Sequence, residues 1–209
     1  MIKVEHIETW GFEHAIRGMR NPLNSWERSD SGFMGEIGFQ SYIGENDLNL
    51  MHRLYVGGQP HRKYLRQIFV SMDITAPLYW WSEFDTYKVG TTANSCSTMH
   101  KIAAKEFALS DFSIEHLSED VINKPFKDII DCLNFFRELY NQHKDKSDWW
   151  QMIQLLPSSY NQRRTVSMTY ENVMNILDYR ENHKLDEWRE FCGILRALPY
   201  IKEIRGENK

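Results

Sequence analysis

Paired arginines in a polar stretch are the most chemically suggestive feature of this sequence. Arg163 and Arg164 follow Pro157-Ser158-Ser159, and guanidinium groups bind oxyanions through two parallel hydrogen bonds. In an acidic chain such a pair suits phosphate. Other cations are spread along the chain: Arg17, Arg20, His61, Arg62, Lys63, Lys88 and Arg180. Most of them fall in expected loops or at element ends, where surface charge is the plainer reading. Cys96 and His100 are four apart, the spacing that on a helix gives a metal pair or a thiol–base pair, but no second cluster completes a zinc site. A structural cysteine is the simpler reading. Glu83 and Asp85 are two apart, so they do not meet on a helix and face opposite ways on a strand. Tyr79, Trp80, Trp81 and Tyr87 precede a run of small hydroxyl and amide groups from Thr91 to Thr98. Flat surfaces next to hydrogen-bonding groups suit a planar ligand, and equally suit a buried segment followed by a loop. The sequence has no P-loop, no GxSxG elbow, no dinucleotide fingerprint and no HExxH.

The elements expected to position these groups follow from periodicity. Ile2 to Ile7 reads as a first strand and FEHAIRGMR as a short helix stopped at Asn21-Pro22. Residues 24–46 contain Gly32, Gly35, Gly38 and Gly44 and read as loop, either a lid or a plain surface excursion. Asn46 to Leu54 is expected to be a helix capped near Asn46, ending at Gly57-Gly58. IFVSMDI reads as a buried strand and LYWWSEF as a helix. Thr91 to Thr98 is expected to be loop, and KIAAKEFAL helix. Ser118 to His143 is the clearest long helix, with Ile129, Leu133, Phe136 and Tyr140 on one face. Ser147 is expected to cap DWWQMIQLL, and Ser158 to Ser167 to be a polar turn. Thr169 caps YENVMNILDYR, a last helix carries Trp188, Cys192 and Leu195, and the tail after Pro199 is expected to fray.

Composition bounds the rest. The 209 residues fit a single domain, residues 1–209, with 42% apolar and 26% charged side chains. A formal net charge of −4 disfavours a dedicated nucleic-acid binder. Three scattered cysteines are not a disulfide framework and suit a reducing, cytoplasmic setting. No signal peptide and no apolar run of about 18 residues are visible, so no membrane span is expected.

In three separated blocks the chain resembles the flavin-dependent thymidylate synthase family. AIRGMR is similar to the family's arginine-containing helix. LMHRLYVGGQPHRKYLRQIFVSMDITAPLYWW is similar to its helix, proline turn and strand ending in Ala-Pro. LLPSSYNQRRTVSMTYENVMNILDYR is similar to its Leu-Pro turn, phosphate-binding arginine and helix. The resemblance implies an α/β (α+β) fold with a mixed sheet packed by helices, assembled as a homotetramer. It implies FAD, with NADPH as reductant and a folate as one-carbon donor to dUMP, a pyrimidine deoxynucleotide. Arg163 would hold the nucleotide phosphate with Arg164, and Asn94 would meet the base edge. His61, Lys88, Asn175 and Arg180 would adjoin the flavin, with Ser97 and Tyr87 at the reacting centre. The family's Arg-His-Arg signature is answered by DTYKVGTTANSCSTMH, in which Tyr87 and Lys88 stand for most of that cluster. This altered segment leaves two further readings open: a nucleotide- or phosphate-binding homologue that has lost flavin catalysis, and an interaction protein with a Trp-rich interface.

Overall fold

A computed structural model describes residues 2–33 and 41–207. In chain order the elements are β1 (Lys3–Trp10), α1 (Phe12–Arg20), α2 (Glu45–Val56), β2 (Phe69–Pro77), α3 (Leu78–Phe84), β3 (Thr91–Ser95) and α4 (Thr98–Lys101). They continue with α5 (Glu119–Val121), α6 (Lys127–His143), α7 (Lys146–Leu155), β4 (Asn161–Thr169), α8 (Tyr170–Arg180), α9 (Asp186–Arg196) and α10 (Ile201–Arg205). The four strands form one antiparallel sheet in the order β1-β2-β4-β3, and the fold is α/β. Of the glycine-rich 24–46 segment, Gly35 and Gly38 lie outside the described residues. The described part holds a short 3-10 turn, Trp26–Arg28, and an antiparallel bridge between Gly32 and Tyr42.

Alternation builds the central strands. In β2, Val70, Met72, Ile74 and Ala76 are buried, and Ser71, Asp73 and Thr75 face the other way. In β4, Gln162, Val166 and Met168 are buried, while Arg163, Thr165 and Ser167 share the opposite face. The expected polar turn over Ser158 to Ser167 is therefore a strand from Asn161 on. Its outward hydroxyls pair across to β2: Thr165 Oγ1 donates to Asp73 at 2.5 Å, and Ser71 and Ser167 hydroxyls lie 3.0 Å apart. Cross-strand partners of this kind satisfy polar side chains that read as loop when seen alone. The expected loop at Thr91 to Thr98 is likewise strand β3 followed by α4.

The chain forms two compact units. One comprises residues 1–5, 73–86 and 93–165; the other comprises residues 6–72, 87–92 and 166–209. The first has two apolar centres. Trp80, Trp81 and Phe84 pack ring on ring at 4.9 to 5.3 Å, all but fully buried. Phe107, Phe112, Phe126, Ile130, Leu133 and Met152 form the second. The inward face of α6 therefore runs through Ile130 and Leu133, with Ile129 37% exposed. Pro125 falls in a π turn, Ile122–Phe126, which enters α6, and of the expected face Leu133, Phe136 and Tyr140 do pack in or against this cluster. KIAAKEFAL is not a helix. The Asn134 amide bonds both the N–H and the carbonyl of Phe107 at 2.9 Å, and Asn141 donates to the Ala103 carbonyl at 3.0 Å. These tertiary bonds take the backbone groups a helix would have used. Asp145, not Ser147, caps α7, accepting from the Ser147 N–H.

The second unit is built on α1, α2, α8, α9 and α10. Thr169 caps α8 as expected, accepting from Asn172, and Val173, Ile176 and Leu177 are buried. Trp188, Cys192 and Leu195 form the expected buried stripe of α9, where burial pushes the Cys192 thiol up to about 11. Of the tail expected to fray, the described part, up to Glu207, contains α10, and Asn208 and Lys209 lie outside the described residues. Ile201 and Ile204 of α10 are fully buried, and Arg205 bonds Asp178 at 2.6 Å. Gly11 enters α1 at φ +93, and a Cβ there would stand 2.1 Å from the Gln67 carbonyl oxygen, so only glycine fits.

Candidate functional site

The site residues expected from the sequence divide between the two units. Asn94, Ser97, Arg163 and Arg164 belong to the first; His61, Tyr87, Lys88, Asn175 and Arg180 belong to the second.

In the first unit, strand geometry separates the two arginines. Neighbours on a strand point to opposite faces, so Arg163 and Arg164 do not act as one phosphate clamp. Arg163 is on the Asp73 face. Its Nη2 donates to Asp73 at 2.6 Å, Nη1 lies 3.7 Å from Glu5, and its side chain is 44% exposed. The bond to Asp73 raises the guanidinium's affinity for its proton still further. Arg164 is on the buried face. Its Nη1 donates to Asp85 at 2.7 Å, its Nε to Gln162 at 2.9 Å, and its guanidinium lies 4.2 Å over the Trp81 ring.

Arg163 and Ser97 line the same cavity of roughly 210 Å³, together with Thr75, Lys101 and Gln162. Backbone bonds hold this corner: the Cys96 N–H donates to the Arg163 carbonyl at 2.9 Å, and Gln162 Nε2 donates to the Cys96 carbonyl at 2.8 Å. Ser97 Oγ caps α4 by accepting from the His100 N–H at 3.1 Å. Cys96 precedes that helix and is exposed, so the four-residue spacing to His100 does not place the two on one helical face. Among the described residues no group of three side chains could hold a metal ion. Asn94 is exposed on β3. Of the expected aromatic wall, Trp80 and Trp81 are core residues, with Trp81 Nε1 donating to the Gln162 carbonyl at 2.9 Å, while Tyr79 and Tyr87 are half-buried.

In the second unit, Tyr87 and Arg180 do meet. Arg180 Nε donates to the Tyr87 hydroxyl at 3.1 Å, and the guanidinium lies 4.9 Å over the ring of buried Trp188. The Tyr87 and Trp188 rings are 6.0 Å apart. The short turn carrying Tyr87 and Lys88 is pinned from α8: Asn172 Nδ2 donates to the Val89 carbonyl and to Thr91 Oγ1, each at 2.7 Å. Gly90 turns it at φ +73, and its carbonyl accepts from the Thr169 N–H. Asn175 is half-buried on α8, while Lys88 and His61 are exposed.

Three partners were missed in the sequence. Asp73 and Asp85 are the carboxylates that hold the arginine pair, and Trp188 is the platform under Arg180. The outward phase of Asp73 was readable from the strand alternation; which arginine it meets depends on register across two strands.

No protein-family model matches the sequence, and no curated protein matches it. Solved structures do match in fold. One is the flavin-dependent thymidylate synthase ThyX from Helicobacter pylori complexed with FAD and dUMP, at a TM-score of 0.69 and 19% identity, over 99% of this chain and 98% of that chain. A second is thymidylate synthase X from Helicobacter pylori with FAD and dUMP, at a TM-score of 0.70 and 20% identity, over 100% of this chain and 98% of that one. The chain has, from end to end, a distant form of the fold of the ThyX flavin-dependent thymidylate synthases.

Proposed function

We propose that this protein is a flavin-dependent thymidylate synthase-like enzyme. It passes a one-carbon unit from a folate to a pyrimidine deoxynucleotide, dUMP, with FAD as cofactor and NADPH as reductant. The observation that carries this reading is the full-length likeness in fold to two proteins that hold FAD and dUMP. The side-chain chemistry suits such ligands. Arg180 stacked on Trp188 and bonded to Tyr87 offers a cation and aromatic edges to a flat ring carrying phosphates. Arg163, Lys101 and Ser97 offer two cations and a hydroxyl around one cavity.

In this proposal Arg180, Asn175, His61 and Lys88 hold FAD, which when bound supplies the redox chemistry of the transfer. Arg163 takes the nucleotide phosphate in exchange for part of its bond to Asp73. Arg164 supports it from the other face of β4 by fixing Asp85 and Trp81. Asn94 meets the base edge, and Ser97 and Tyr87 orient the reacting groups. Residues 1–209 act as one domain within a homotetramer.

A second reading is a nucleotide-binding homologue without flavin chemistry. It is favoured by the pairing of Arg163 and Arg164 with Asp73 and Asp85, which spends both charges inside the chain.

Absorbance separates the two. Purified protein is expected to be yellow, or to become so on adding FAD, and to bind dUMP in a calorimetric titration. Protein that stays colourless with FAD present but binds dUMP selects the second reading, and failure to bind either ligand overturns both. Arg163→Ala is expected to weaken dUMP binding by about tenfold or more, the scale of one lost charge-assisted hydrogen bond. Unchanged affinity removes Arg163 from the site.

A further inference from the structure

A cavity of about 570 Å³ lies in the second unit and is lined by none of the residues assigned above. One wall is a stripe of α2, where Asn46, Asn49, Leu50 and Arg53 fall at i, i+3, i+4 and i+7. The other wall is the pair of short turns after α1, carrying Leu23, Asn24 and Arg28.

A buried ion pair holds the walls together. Arg20 Nε donates to Asp47 Oδ1 at 2.6 Å, with the two side chains 4% and 0% exposed. The remaining Arg20 nitrogens reach the carbonyls of Ser25 and Arg28, both at 3.1 Å. Asp47 Oδ2 accepts from the Ser29 and Ser31 hydroxyls, each at 2.7 Å. Burial raises the Asp47 pKa, but the bonds from Ser31, Ser29 and Arg20 outweigh it and hold the carboxyl below its ordinary range. The carboxylate therefore stays ionised at neutral pH, and the brace is lost only as pH falls through that lowered value.

Burying a charged pair is costly, and here it fixes the backbone on which Arg28 sits against the helix that carries Arg53. Both of these guanidinium groups are exposed, and among the described residues neither has an ion-pair or hydrogen-bonding partner for its side chain. The amides of Asn24, Asn46 and Asn49 add neutral donors, and Glu27 is the single carboxylate among the described lining residues. Donors outnumber acceptors around a rigid cleft with Leu23 and Leu50 on its walls.

We propose that this cleft is a separate binding site for a phosphate-bearing small molecule. Arg28 and Arg53 grip the phosphate, the asparagine amides meet its remaining oxygens, and an uncharged organic part lies over Leu23 and Leu50. The site stands whether or not the thymidylate synthase reading holds, because it shares no residue with it.

The test is calorimetric titration of the whole protein with two probes, inorganic pyrophosphate and ADP, at fixed ionic strength. Both are expected to bind, and ADP at least about tenfold more tightly if the organic part is held; equal affinities identify inorganic phosphates as the source of the oxyanion. Arg28→Ala/Arg53→Ala is expected to weaken pyrophosphate binding by at least about tenfold. Asn49→Asp, which adds a negative charge to the wall without removing a guanidinium, is expected to weaken it similarly. Arg189→Ala/Lys202→Ala removes two charges elsewhere in the same unit and should leave binding within about twofold. No binding of either probe, or equal loss in the Arg189/Lys202 control, overturns the proposal. Unchanged thermal melting of each variant shows that the fold is intact.

Discussion

Two arginines in this molecule lie over tryptophan rings, and they differ in what they bond. Arg164 stands 4.2 Å over Trp81 and donates to a carboxylate, Asp85. Arg180 stands 4.9 Å over Trp188 and donates to a phenol, Tyr87. The stacking is alike, and both indoles are fully buried. The Arg164 bond joins opposite charges, and the Arg180 bond is to a neutral hydroxyl. The first stack is thus suited to holding α3 and β4 together within its unit. The second ties the turn carrying Tyr87 to α8 and α9, and it is the stack assigned to FAD in the proposed function. Similar stacking geometry is thus combined with different hydrogen-bond partners.

The largest effect expected from breaking this comparison is in the platforms. Trp81→Ala and Trp188→Ala should each cost about 3–5 kcal/mol of unfolding free energy in urea titrations, the usual range for removing a buried indole. A loss under about 1 kcal/mol at either position would mean that its ring is not part of a packed core. Next are the arginines. Arg164→Ala should lower stability by about 1–2 kcal/mol, through lost packing on Trp81 more than through the ion pair, because Asp85 is half exposed and returns to water. Its dUMP and FAD affinities should stay within about twofold. Arg180→Ala should instead weaken FAD or dUMP binding by about tenfold, or 1.4 kcal/mol, measured by titration. The opposite pattern, with binding lost at Arg164 and kept at Arg180, reverses the assignment of the two stacks. The smallest effect is expected for Tyr87→Phe, which removes one acceptor at about 0.5–1.5 kcal/mol and keeps the ring. If Tyr87→Phe abolishes turnover while binding stays intact, Tyr87 belongs to the reacting centre. If it changes neither, its role is to support Arg180.

The stretch from Ile74 to Lys101 shows how far local reading reaches. Its apolar half behaved as its pattern suggests: β2 alternates, Pro77 ends it, and Leu78–Phe84 is helical. The two tryptophans of the ligand wall expected there went to the core for a physical reason. Large aromatic side chains bury 150–250 Å² each, so three of them within five residues are worth more to the core than to an empty surface. The polar half misled differently. Thr91 to Ser95 has no apolar face to mark it as a strand, and it is a strand because β4 offers it a ladder. In the same way Ser158 to Ser167 reads as a turn until Ser71 and Asp73 stand opposite.

Periodicity and capping were sufficient, without any structure, for β1, β2, α1, α8 and α9 and for the buried faces of the last two. These depend on interactions within one element, such as the Thr169 cap or the spacing of Trp188, Cys192 and Leu195. The tertiary structure decided what depends on register between distant segments. It placed Arg163 and Arg164 on opposite faces of β4, matched them to Asp73 and Asp85, and put Arg180 over Trp188. It also turned the tail into α10, because Ile201 and Ile204 find a buried site that their own short segment cannot supply. Helix propensity and hydrophobic period are properties of neighbours in sequence. Charge pairing, and with it the chemistry a side chain has left to offer, belongs to neighbours in space.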